Sequence, residues 1–262
     1  MFDYGKRTYI MGILNVTPDS FSDGGDFFDI DRAIKHAKEM EADGADMIDI
    51  GGESTRPGHQ YVESDEEIRR VIPVLKKVRE NVNVPISIDT YKADVAEQAL
   101  LNGADMVNDV WGLRKDERMA DVIAKHDAYV CIMHNQDGTD YKGDIIDEIK
   151  KFLYKSIDMA VKAGIDKKKI VLDPGIGFGK TYEQNLEVLK RLGEFKDMEY
   201  PILLGTSRKS VIGNTLNLPP KERVEGTIAT TVLGIRDGID IVRVHDIKEN
   251  LKAAKMTDAI YR

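Results

Sequence analysis

DGADMIDIGG, residues 43–52, returns three times in altered form: NGADMVNDV from Asn102, AGIDKKKIVLDPG from Ala163 and DGIDIVRVHD from Asp237. Each copy reads glycine, then Ala or Ile, then Asp, then a strand-like segment. Glycine at that place suits the left-handed residue that ends a helix, and behind it the apolar spacing changes from a helical period to that of a strand. The phrase marks the helix-to-strand junction of a repeated βα unit.

Measured from these junctions, strands are expected near 9–15, 47–51, 84–89, 106–110, 129–133, 170–173, 201–205 and 241–245, with amphipathic segments between them. In 64–80, Ile68, Val71, Ile72, Leu75 and Val78 form one stripe, Ser64 and Glu67 have the spacing of a capping box, and Pro73 predicts a kink. In 144–161, Ile145, Ile149, Phe152, Ile157 and Ala160 share a face. Near-continuous apolar strands separated by helices belong to parallel sheets covered on both sides. Eight such units in about 250 residues indicate an α/β fold, a single (β/α)8 TIM barrel with extended loops after its first two strands. A doubly wound open sheet is the alternative. Either architecture puts an active site at the carboxyl ends of the strands.

No linker, charge block or low-complexity tract divides the chain, so residues 1–262 are read as one domain. With 42% hydrophobic residues it can bury a sizeable core, and a formal net charge of −8 argues against nucleic acid or an anionic membrane as its partner. The single Cys131, inside YVCIM, excludes an intrachain disulfide and reads as a small buried thiol. MFDYGKRT lacks the apolar core of a signal peptide and no apolar run reaches membrane-spanning length, so a cytoplasmic protein is expected.

The predicted strands end in polar residues: Asn15; Glu53 with Thr55 and Arg56; Asp89; Asn108 with Asp109; His134; Asp173; Ser207 with Arg208 and Lys209; and Arg243 with His245. Helix capping accounts for some of them, such as Asp89 or Thr90 before Lys92 and Asp246 before the last helix. The ring as a whole sorts by charge. Asp89, Asn108 and Asp173 offer acceptors to an N–H-rich heterocycle, while Arg56, Ser207, Arg243 and His245 suit an anion, with Lys209 able to serve either. The basic cluster falls in the loops after strands seven and eight, a usual place for phosphate in a barrel. A substrate joining an amino-heterocycle to a phosphate or diphosphate satisfies both halves.

DPGIGFGKT, from Asp173, fits neither nucleotide fingerprint, since Pro174 and Lys180 stand where those patterns need glycine. Its glycines suit a close backbone approach to a flat ligand or a structural turn, with Phe178 beside them. His36 and His126 fall within helical patterns and read as surface residues. No cluster supports a zinc site, so any metal is expected to be a hard cation bound by Asn15 and ligand oxygens. The stretch YIMGILNVTPDSFSDGG, residues 9–25, runs from a strand into a loop rich in amide, hydroxyl, carboxylate and aromatic groups.

The motifs GILNVTPDSFSDGG, DIGGESTRPG, SIDT, NDV, MH, LDPGIGFGK, GTSRKS and RVHD stand in the order found in dihydropteroate synthases, and the chain resembles that family over essentially its whole length. The resemblance implies condensation of 6-hydroxymethyl-7,8-dihydropterin diphosphate with 4-aminobenzoate, by a dissociative route through a dihydropterin cation. By motif, Asp89, Asn108, Met133, Asp173, Phe178 and Lys209 would bind pterin. Asn15, Arg56, Arg243 and His245 would bind diphosphate, Asn15 through Mg²⁺. Phe21, Thr55, Pro57, Phe178, Lys209 and Ser210 would form the aminobenzoate pocket. Asp89, Lys209, Asn15, Phe21 and Asp23 would be catalytic, with the first loop closing over the cation. The resemblance also implies small-molecule partners and a homodimer through the last helices. A methyltetrahydrofolate-dependent methyltransferase and a non-catalytic pterin-binding barrel are the alternatives. NQDGTDYKGD after His134 departs from the family pattern and is expected to be peripheral.

Overall fold

A computed structural model describes residues 2–16, 26–54 and 61–262, with 26–29 in backbone alone. Along the chain lie β1 (Tyr9–Asn15), α1 (Asp26–Ala42), β2 (Met47–Gly51), α2 (Ser64–Asn81), β3 (Ile86–Asp89), α3 (Ala93–Leu101), β4 (Met106–Asp109) and α4 (Met119–Lys125). There follow β5 (Tyr129–Met133), α5 (Ile145–Ala163), β6 (Ile170–Asp173), α6 (Tyr182–Lys190), β7 (Leu203–Leu204), α7 (Ser210–Leu216), α8 (Val224–Arg236), β8 (Ile241–Val244) and α9 (Ile247–Tyr261). All four junction glycines are left-handed, with φ of 95° at Gly44, 101° at Gly103, 100° at Gly164 and 92° at Gly238.

The strands pair in parallel in the order β6-β5-β4-β3-β2-β1-β8-β7, and a bridge between Leu172 and Ile202 brings β6 back beside β7. This near-closure makes the sheet a (β/α)8 barrel and rules out the doubly wound alternative, whose open sheet leaves two unpaired edges.

Alternation along the strands separates two cores. Outward residues such as Ile10, Ile48, Ile50, Ile88, Val107, Ile132, Leu172 and Val242 pack against the helices. Tyr9, Met11, Met47, Met106, Cys131, Val171, Leu203 and Ile241 fill the lower barrel interior, where the Cys131 thiol is fully buried. Two residues further along β2, β4, β6 and β8 come Asp49, Asn108, Asp173 and Arg243, so the same parity that buries the floor carries polar groups to the mouth.

The helix α2 corrects one expectation. Pro73 sits inside the helix, on its exposed face, where the carbonyl that loses its partner can meet water. The expected Ser64–Glu67 capping box is absent: Glu63 is the N-cap and makes no side-chain cap bond. Glu67 instead turns inward, 1% exposed, and shares the Lys92 ammonium with Glu53. Tyr91 Oη also donates to Glu53 Oε1 at 3.1 Å, and Val62 N–H reaches the same oxygen at 3.3 Å. Burial pushes the Glu67 carboxyl up, with Lys92 opposing.

Two stability measurements check this account. Gly164→Ala, where an added Cβ meets nothing within 4 Å, should cost about 1–2 kcal/mol in urea unfolding from backbone strain alone. Gly44→Ala brings a Cβ to 2.4 Å from Leu251 Cδ2 and should cost more; equal losses would show that α9 yields at no cost. Lys92→Met leaves two buried carboxylates without their cation and should cost about 3–5 kcal/mol. A loss below about 1 kcal/mol would give Lys92 no more weight than a surface pair.

Candidate active site

Inside the mouth of the barrel the inward polar residues bond to one another. Arg243 donates from Nε to Asp49 Oδ2 at 2.6 Å and from a terminal nitrogen to Asp89 Oδ2 at 2.7 Å. Asn108 Nδ2 donates to the same Asp49 oxygen at 3.1 Å. Asp89 Oδ1 and Asp49 Oδ1 are buried with no hydrogen-bond partner among the described residues. Burial pushes the Asp89 carboxyl up to about 7, with Arg243 opposing and Asp49 adding to the rise. Gly51 and Gly205, on inward positions, keep the space above clear: a Cβ at Gly205 would lie 3.7 Å from Lys209 Nζ and 3.8 Å from Asp173 Oδ2.

The glycine motif after β6 curls over this layer. Gly175 has φ of 72°, and a Cβ there would come within 1.9 Å of the His134 carbonyl, so no other residue fits. Asp173 Oδ1 accepts the Gly175 N–H at 2.7 Å, and burial raises the Asp173 carboxyl, with Lys209 opposing. Two ammonium groups hold the loop from opposite ends. Lys180 donates to the carbonyls of Gly175 at 2.9 Å and Phe178 at 3.0 Å, and lies 3.0 Å from His134 Nδ1. Lys209 donates to the Ile176 carbonyl at 2.6 Å and stands 4.6 Å from the centre of the Phe178 ring. Burial lowers Lys180 to about 7 and Lys209 to about 8, and it lowers His134 to about 2. His134, expected in the ring, is therefore a neutral partner of Lys180 behind the loop.

The apolar side of the site is built from Tyr91, Val110 and Met133, with Trp111 and Phe178 packed against them. Met133 and Phe178 thus belong to one apolar cluster. The segment after His134 is not peripheral: Tyr141 Oη donates to the Gly179 carbonyl at 2.9 Å, and Gln184 Nε2 reaches back to the Thr139 carbonyl at 2.9 Å.

At the ends of β7 and β8, His245 N–H donates to Ser207 Oγ at 3.1 Å, and that hydroxyl lies 2.9 Å from His245 Nδ1. Arg208, expected beside Lys209, turns away from the site: its φ is 58° and its guanidinium grips both oxygens of Asp246. Asp246 is the N-cap residue of α9 but makes no side-chain cap bond, and Thr90 rather than Asp89 bonds to Lys92 N–H. Asp109 likewise leaves the ring, bracing the turn through Trp111 and Leu113 N–H at 2.8 Å each. His126 is half-buried at the end of α4.

Asn15 is exposed at the end of β1, in register with Gly51, and Ser210 is exposed at the start of α7. Phe21, Asp23, Thr55, Arg56 and Pro57 lie outside the described residues. Among the described residues no three His, Cys, Asp or Glu side chains converge on a metal position. One exposed amide oxygen fits Mg²⁺ only in the manner of a cation that arrives with phosphate oxygens and water. Sequence reading missed Asp49 and Lys180. A carboxylate inside the apolar run MIDIG, on the parity of Met47 and Gly51, was the available signal for the first; Lys180 carried none beyond its place at the end of the glycine motif.

The pattern of the family described as "Pterin binding enzyme" matches residues 11–245. A dihydropteroate synthase of Clostridium beijerinckii is 60% identical over 100% of this chain and 97% of its own. Among solved structures, a Clostridium difficile dihydropteroate synthase crystallised in the presence of pteroic acid is 73% identical, with a TM-score of 0.99 over 100% of both chains. A Xanthomonas albilineans dihydropteroate synthase with 4-aminobenzoic acid is 40% identical, with a TM-score of 0.92 over 97% of this chain and 93% of that one. With this agreement in sequence and fold over the length of the chain, the chain belongs to the dihydropteroate synthase family of pterin-binding enzymes.

Proposed function

We propose that this chain condenses 6-hydroxymethyl-7,8-dihydropterin diphosphate with 4-aminobenzoate, releasing diphosphate and 7,8-dihydropteroate. The observation that carries this reading is the acceptor edge inside the barrel. Among the described residues Asp89 Oδ1 is buried without a donor, and the Asn108 amide nitrogen is turned to Asp49. Asp173 completes the edge, and a heterocycle carrying adjacent N–H and amino groups supplies the donors that these oxygens lack. Met133 and Phe178 cover its faces and Lys209 donates to its acceptors.

In this reading the bond between the pterin methylene and the diphosphate oxygen breaks first, and the electron pair leaves with diphosphate. The amine nitrogen of aminobenzoate then forms the new C–N bond and gives up a proton to solvent. Above pH 7, where Asp89 is ionised, the inward groups comprise three carboxylates, Asp49, Asp89 and Asp173, against the two cations Arg243 and Lys209, a balance that favours a cationic dihydropterin. His245 is assigned to the diphosphate, and Arg243 is as well. Its bonds to Asp49 and Asp89 give it a share in the pterin half, so the two halves drawn from sequence join at one guanidinium. Mg²⁺, held by Asn15 and phosphate oxygens, would neutralise charge on the departing diphosphate. Arg56, Thr55, Pro57, Phe21, Asp23 and Ser210 enter through the motifs alone.

Apolar side chains exposed on α8 and α9, among them Leu233, Met256 and Ile260, support a homodimer through these helices. The chain is taken as one domain with a cytoplasmic location, a reading that rests on its composition. Among the described residues no helix is long and apolar enough to cross a membrane.

Mixing the pterin diphosphate, 4-aminobenzoate and Mg²⁺ with the folded protein should yield dihydropteroate, and absence of product would sink the assignment. Pterin binding should also depend on pH. Asp89 titrates at about 7 and is an ionised acceptor only above it, while Lys209, at about 8, keeps its proton through that point. Affinity for 6-hydroxymethylpterin should therefore fall as pH drops through 7, and Asp89→Asn should bind more weakly and lose that inflection. An unchanged profile in the variant would assign the titration to another group.

A further inference from the structure

We propose that Asp49 is a positioning residue that sets the hydrogen-bonding sense of the pterin pocket, by fixing which end of the Asn108 amide faces the ligand. Asp49 is fully buried in the middle of β2 and, on the reading above, touches no substrate atom. Its Oδ2 accepts two hydrogen bonds, from Asn108 Nδ2 at 3.1 Å and from Arg243 Nε at 2.6 Å. A carboxylate paired with a guanidinium can only accept, so the amide of Asn108 has one orientation open to it: N–H₂ toward Asp49, carbonyl oxygen toward the ligand. Without that acceptor the amide can turn over, and the ligand would meet a donor where its own N–H group points. The same oxygen fixes the Arg243 guanidinium, whose other end holds Asp89. One buried carboxylate thereby orients two of the acceptors proposed for the pterin, a role that rests on the pterin reading of the site.

Because both bonds land on Oδ2 while Oδ1 has no partner among the described residues, the acceptor role of Asp49 can be separated from its charge. Asp49→Asn can still present one carbonyl oxygen to both donors, whereas Asp49→Leu keeps the branched heavy-atom pattern and removes the acceptor. Titration with 6-hydroxymethylpterin should show Asp49→Leu binding about tenfold or more weakly than wild type, and Asp49→Asn recovering most of that loss. The Michaelis constant for 4-aminobenzoate, at saturating pterin diphosphate, should stay unchanged. Asn108→Asp gives an independent arm should the leucine variant not fold. It retains an acceptor for the ligand but sets a second carboxylate oxygen against Asp49, and it should also lose about tenfold.

A folded Asp49→Leu or Asn108→Asp that binds like wild type overturns the proposal, as does Asp49→Asn that binds no better than Asp49→Leu. An equal loss toward 4-aminobenzoate would mark a general structural defect and overturn it too. Wild-type protein that binds no pterin would overturn the reading of the site itself, and would do so before any substitution is made.

Discussion

A guanidinium buried between two carboxylates organises the mouth of this barrel. Arg243 reaches across the interior from β8 to Asp49 on β2 and Asp89 on β3, joining strands on either side of β1. Charges buried this way are costly unless each lone pair and proton finds a partner. Here the accounting is left incomplete at Asp89 Oδ1 and Asp49 Oδ1. The deficit at Asp89 lies where the ligand is proposed to bind, so the interaction that stabilises the interior also leaves it short of donors.

The second organising device is the loop after β6. Its backbone carbonyls are gathered by Lys180 from behind and Lys209 from the site, and His134 stays neutral so that Lys180 can lie against it. The segment after His134 reinforces the same loop through Tyr141 and is itself held to α6 by Gln184. A rigid backing of this kind places Phe178 and Lys209 in fixed relation to Asp173, and it ties ligand binding to residues that touch no ligand.

Some of this architecture was legible because local physics acts through neighbouring residues. The glycine phrase works through one left-handed residue and the strand after it, and all four copies read correctly. The ring of polar strand ends was legible for the same reason, since each apolar run stops where the strand leaves the sheet. What failed were assignments that depend on the second partner. Ser64 and Glu67 have capping-box spacing, yet the Lys92 ammonium, 25 residues on, competes for Glu67 and wins. Asp109 and Arg208 sit beside ring residues in sequence, but one step along a strand or one left-handed residue turns a side chain away.

The sequence by itself determined the number, order and approximate limits of the strands, the end of the barrel that carries the site, and the motifs that imply the family. These follow from period, turn chemistry and motif order. Only the tertiary structure decided how the polar residues combine. It made Asp49 part of the site, joined Arg243 to the carboxylates and removed Arg208, Asp109 and His134 from the ring. Those outcomes depend on which side chains meet across a closed interior. Contact between β8 and β2 arises from closure of the sheet, and no spacing along the chain encodes it.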